Sequence, residues 1–160
     1  MFQSYHAAIH VPSAKRFRVL FTALLLVFIV SGCKKKMTLP NESLNKIFGT
    51  WEWVQSTGGY SGTRMTPAST GNSQTIEFNI NGTYRWFKDD KRQGKVTYTI
   101  TEDKSMMMGG TAYMITYGKS NVFDKNAPGI KQSVSFAGSD TLFLHDECYD
   151  CYGHTYVRRK

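Results

Sequence analysis

The chain has no apolar run long enough to cross a bilayer as a helix. Its longest, Val19–Val30, has twelve residues, against the ~20 that a spanning helix needs. Histidine is scarce too: there are four, and only His145 and His154 lie beyond residue 32. The sequence contains no Gly-x-Ser-x-Gly elbow, no phosphate loop and no His-Glu-x-x-His, so the common signatures of serine hydrolases, nucleotide hydrolases and zinc proteases are missing. Carboxylates are present but nothing in the sequence pairs them. No enzyme and no cofactor is expected.

The most informative stretch is Lys15 to Lys36. Lys15, Arg16 and Arg18 precede the apolar run, and Ser31-Gly32-Cys33 and three lysines follow it. A basic flank, a short apolar segment and small residues at the junction form a secretory signal. Val30-Ser31-Gly32-Cys33 resembles the lipobox of bacterial lipoproteins. That resemblance implies cleavage before Cys33, a signal peptide over residues 1–32, and a diacylglyceryl group on the Cys33 thiol. Two or more acyl chains hold a protein stably to a membrane, where one does so only marginally. The competing reading is an uncleaved signal anchor with an incidental thiol at Cys33. Met1 to Ala14 has no interpretable pattern.

Removing residues 1–32 changes the charge argument. The chain as a whole carries +8, and after removal 17 basic residues face 12 acidic ones, with Lys34–Lys36 supplying three of that excess. The remainder, about +2, gives no basis for a nucleic-acid surface. The lysines fit a polybasic partner to the lipid, against anionic headgroups, or a solvated spacer. Residues 33–46 are expected to be anchor and tether, and residues 47–160 one domain with one core.

Within the tether, Asn41 is placed to cap a short helical turn with Leu44, Ile47 and Phe48 on one face. No other stretch has convincing helical periodicity. Beyond it, short alternating runs separated by turn residues predict an antiparallel sheet. The runs are 49–56, 74–80, 83–88, 95–101, 106–118 broken or bent at Gly109-Gly110, 131–136, 141–146 and 154–159. Asn81-Gly82 is the strongest hairpin signal, while Asp89 to Gly94 and Glu102 to Lys104 read as turns. Thr57 to Ser73 and Lys119 to Ile130 read as long loops. About eight strands suit an all-β meander closed into a barrel with room for side chains or one small ligand.

Gly49-Thr50-Trp51, opening the first strand after a helical turn, resembles the Gly-x-Trp signature of lipocalins. The Phe78-Asn-Ile-Asn-Gly-Thr-Tyr84 hairpin and the closing Tyr156-Val-Arg-Arg159 are similar to the small lipocalin-like lipoproteins of Bacteroidetes. The resemblance implies a lipocalin-like barrel in which an arginine near the C-terminus packs over Trp51, with Arg158 and Arg159 the candidates. The lipoprotein resemblance also implies the outer membrane. Lys34 is not the aspartate that retains lipoproteins at the inner membrane, and Lys34–Lys36 are opposite in sign to acidic surface-export signals, so the periplasmic side is expected.

Candidate ligand-pocket residues are Trp51, Trp53, Phe78, Tyr84, Trp86, Tyr98 and Phe136. They either line an apolar pocket or simply fill the barrel, and sequence alone leaves both readings open. Met106–Met108 are expected to fill core. Asp146, Cys148, Cys151 and His154 form the tightest set of potential metal ligands. Cys148 and Cys151, at the two ends of a turn in an oxidising compartment, are better placed for a disulfide. The functional expectation is a membrane-anchored barrel, held through acylated Cys33, that binds or carries a small apolar ligand. The alternative is an envelope module with a filled barrel that contacts a protein partner through its long loops.

Overall fold

Alternation of buried and exposed residues marks several strands of the computed structural model, which describes residues 36–118 and 131–160. The signal segment, Cys33 and the loop Lys119 to Ile130 lie outside the described residues. The strands are β1 (Gly49–Gly58), β2 (Thr63–Met65), β3 (Gln74–Asn79), β4 (Thr83–Lys88), β5 (Lys91–Lys104), β6 (Thr111–Tyr117), β7 (Gln132–Ala137), β8 (Thr141–Asp146) and β9 (Tyr152–Arg158). Each pairs antiparallel with its neighbours, and β9 returns to β1. The result is an all-β, closed eight-stranded barrel with β2 outside it, hydrogen-bonded only to residues 56–58 of β1. Closure removes the unpaired edges that an open sheet exposes.

One end of the barrel is plugged. Asn41 caps a 3-10 helix, Glu42–Ile47, by accepting the Ser43 N–H at 2.8 Å. Its Leu44 and Ile47 are buried, and the Ile47 carbonyl accepts the Trp51 indole N–H at 2.8 Å. Trp51, Phe78 and Tyr98 pack beside them, with Phe78 and Tyr98 edge to face at 5.0 Å. The tether read from the sequence is already part of this end, since Met37 and Leu39 pack on the core and Met37 N–H donates to the Ile80 carbonyl at 2.8 Å.

Strand boundaries depart from expectation, most clearly at two hairpins. Asp89 and Asp90 reverse the chain alone, both in the left-handed region (φ 49° and 57°), so β5 begins at Lys91 and runs through Glu102 to Lys104. The next turn is then Ser105 to Gly110, and Met106–Met108 sit in it, each at least half exposed, instead of filling core. Side-chain chemistry decides this: Glu147 accepts from Ser105 Oγ (2.9 Å) and Met106 N–H (2.7 Å). That carboxylate holds the hairpin tip against the outside of the barrel, where Met114 and Ser133 are buried. The stretch from Thr57 to Ser73 is likewise ordered, containing β2 and a single helical turn, α1 (Pro67–Thr70), with a capping box between Thr66 and Ser69.

Candidate ligand pocket

The registers of β3, β4 and β5 carry their residues 74, 88 and 91 to the end of the barrel away from the 3-10 plug. There a cavity of about 390 Å³ opens, within the size range of small-molecule sites. Trp53, Ile76, Tyr84, Trp86 and Tyr156 form its apolar wall, and Met65 reaches it from β2. Tyr84 and Trp86 stack at 5.8 Å with 25° between their planes. Trp86 lies flat because Gly94 faces it on β5 and offers no side chain.

The cavity floor is polar. A bulge in β1 between Trp53 and Gln55 shifts the alternation by one residue, so Ser56, 3% exposed, points inward after Trp51 and Trp53. Ser56 Oγ lies 2.7 Å from His154 Nδ1, and Trp53 Nε1–H donates to the same Oγ at 2.8 Å. His154 Nε2 is 3.5 Å from Asp146 Oδ2. On the far side, Gln132 Nε2 donates to Asp146 Oδ1 at 2.8 Å, and Tyr117 donates to Gln132 Oε1 at 2.6 Å. The His154 ring thus bridges Ser56 and Asp146, with one nitrogen facing each. The chain therefore runs from Trp53 and from Tyr117 toward one carboxylate. Burial alone would raise the Asp146 pKa, but hydrogen bonds from His154 and Gln132, the His154 charge and the Tyr152 N–H outweigh it and hold it below the ordinary value.

Of the seven pocket candidates, Trp53, Tyr84 and Trp86 line the cavity. Trp51, Phe78, Tyr98 and Phe136 do not. The first three fill the plugged end, and Phe136 is only partly buried, 6.2 Å from Trp51 with the Lys46 ammonium over its ring. The filled-barrel and pocket readings therefore each describe one half of the interior. Arg158, not Arg159, lies over Trp51, while Arg159 pairs with exposed Asp90 at 3.0 Å. Cys148 and Cys151 are joined by a disulfide with Cα atoms 5.5 Å apart. That bond takes both sulfurs from the alternative metal set, and its remaining members, Asp146 and His154, belong to the pocket floor.

Ser56, Gln132 and Tyr156 are site residues that the sequence analysis does not single out. For Tyr156 and His154 the signal exists, because both share the inward phase of β9 with Arg158. For Ser56 it does not, since the bulge reverses the phase that Trp51 and Trp53 set.

Ser56, His154 and Asp146 stand in the order of a nucleophilic triad. Ser56 Oγ already accepts the Trp53 indole N–H, which draws density from the lone pair an attack would use. Among the described residues, the hydrogen bonds of Ser56 Oγ are those with Trp53 and His154. Families of known proteins, curated sequences and solved structures offer no match to this chain, so the geometry of the cavity carries the functional argument.

Proposed function

We propose that this protein is a lipoprotein, anchored through acylated Cys33 to the outer membrane on its periplasmic side, which binds a small ligand in the open end of its barrel. The observation that carries the reading is the cavity of about 390 Å³ between Trp53, Tyr84 and Trp86. A barrel built only for rigidity would fill that space with side chains, as the plugged half does. Binding of a ligand with an apolar body to such walls is driven by the area removed from water. The chemistry is retention and release, with no bond made or broken.

A protein-interaction role rests on different residues, chiefly Tyr60, which is 96% exposed on the β1–β2 turn. Native mass spectrometry of protein extracted from membranes separates the two. A co-purified small molecule of constant mass supports the carrier, whereas a bare protein mass with a stoichiometric protein partner overturns it. Labelling with radioactive palmitate tests the anchor: Cys33→Ser is expected to lose the label, and unchanged labelling would refute acylation there.

A further inference from the structure

We infer that the pocket selects an amphipathic ligand whose head donates hydrogen bonds and carries no negative charge, the head resting against Asp146 and the body against Tyr84 and Trp86. This rests on the ligand-binding reading above and adds the chemistry of the head.

The floor has a surplus of acceptors. A carboxylate offers about four lone-pair sites. Asp146 receives the Gln132 amide, the His154 ring and, at 3.4 Å, the Tyr152 N–H, which leaves acceptor capacity toward the cavity. The donors of the network are spent on one another, since Trp53 serves Ser56, Ser56 and His154 share one hydrogen bond, and Tyr117 serves Gln132. The Tyr84 and Tyr156 hydroxyls, on side chains 5% and 7% exposed, have no hydrogen-bond partner among the described residues. Each can accept from a ligand or turn its proton to one.

Charge argues the same way. Asp146 keeps its negative charge in a half-buried position. The one lysine among the described lining residues, Lys88, is exposed at the mouth. A carboxylate head at the floor would meet the Asp146 charge in a medium that screens poorly, while the lysine of the described lining, Lys88, stands at the mouth. A hydroxyl or an ammonium would instead complete the acceptors. A bare hydrocarbon end would leave them dry and unpaired, which costs free energy at each buried polar atom.

The test uses the full-length chain in lipid nanodiscs and four adamantane probes that differ only in the head: the methanol, the methylamine, the carboxylate and the methyl compound. Emission of Trp53 and Trp86 reports binding, with empty nanodiscs as blank. The methanol and methylamine are expected to bind about tenfold or more tightly than the other two, as one hydrogen bond to a charged group implies. Equal affinity of the methyl compound or the carboxylate overturns the head selection and leaves the pocket reading intact. Absence of binding by all four, whatever the head, defeats the pocket reading and this inference with it. Asp146→Asn removes the charge at constant size and is expected to raise carboxylate affinity about tenfold while leaving the methyl compound unchanged. A carboxylate affinity that stays low in this variant refutes the assigned role of Asp146. If Asp146→Asn fails to fold by circular dichroism, the four-probe series on the unaltered protein decides alone.

Discussion

The guanidinium carbon of Arg158 lies 4.1 Å from the centre of the Trp51 ring, and its nitrogens donate to the carbonyls of Phe48 (3.1 Å), Lys46 and Ser139 (3.1 Å). One side chain therefore ties β9 to the 3-10 plug, to the β7–β8 turn and to the tryptophan that opens β1. A planar, multi-donor cation can do this and an ammonium cannot.

Arg158→Ala should accordingly lower stability by about 2–3 kcal/mol, from lost hydrogen bonds and cation–π contact, with Arg158→Lys recovering only part of it. Arg159→Ala, losing one exposed pair with Asp90, should stay within about 0.5 kcal/mol of the parent. Urea unfolding followed by tryptophan emission distinguishes these. A larger effect at Arg159 than at Arg158 would reverse the assignment.

Acid stability depends on Asp146. Its folded pKa lies below its ordinary 3.8, so the unfolded chain takes up a proton first as pH falls. The stabilisation is fully present above about pH 4 and is lost as pH drops through the lower folded value. Asp103 and Glu147 are lowered as well, so Asp146→Asn should make the acid limb shallower without abolishing it. Melting temperature measured from pH 7 down to pH 2 reads this directly, and an unchanged acid limb would contradict it.

Cys148 and Cys151 close a loop of sequence separation 3. Chain entropy alone assigns such a loop about 2 kcal/mol. The double replacement by serine should lower the unfolding free energy by about that amount, and unreduced protein should contain neither thiol free. Detection of both thiols before reduction would refute the pairing.

Gly94→Ala places a methyl group 2.1 Å from the Trp86 ring, a distance no packing tolerates. Because Trp86 forms the cavity wall, the ring must turn into the cavity or β5 must move. The expected result is loss of ligand binding together with about 1–3 kcal/mol of stability, as overpacked sites show. Gly110→Ala, with open space around it, is the control and should bind as the parent does. Equal binding by the Gly94 variant would mean that Trp86 does not shape the site.

Much of the barrel was legible because its period is local. Ile76 and Phe78 in β3, Tyr84 and Trp86 in β4, and Val96, Tyr98 and Ile100 in β5 keep strict alternation, and Asn81-Gly82 marks the turn between β3 and β4. The pocket floor was less so, because its geometry depends on events that composition does not encode. The Val54 bulge moves Ser56 inward, and barrel closure brings Ser56 and His154 together from 98 residues apart. Which aromatic residues would be plug and which would be wall was equally hidden. Trp51 and Trp53 share one strand and one face, and only the docking of Leu44 and Ile47 on one side tells them apart. The exposure of Met106–Met108 was missed for a related reason, since a distant carboxylate, Glu147, sets that turn.

Met37 donates to Ile80 at the plugged end, so that is where the chain enters the barrel. If Cys33 carries the proposed anchor, load along the tether would fall on the 3-10 segment and Trp51 while the cavity is spared. Under the proposed anchoring, the mouth at the opposite end of the barrel is then where a ligand would exchange with the aqueous compartment. Lengthening the segment between Cys33 and Met37 should therefore leave ligand affinity unaltered.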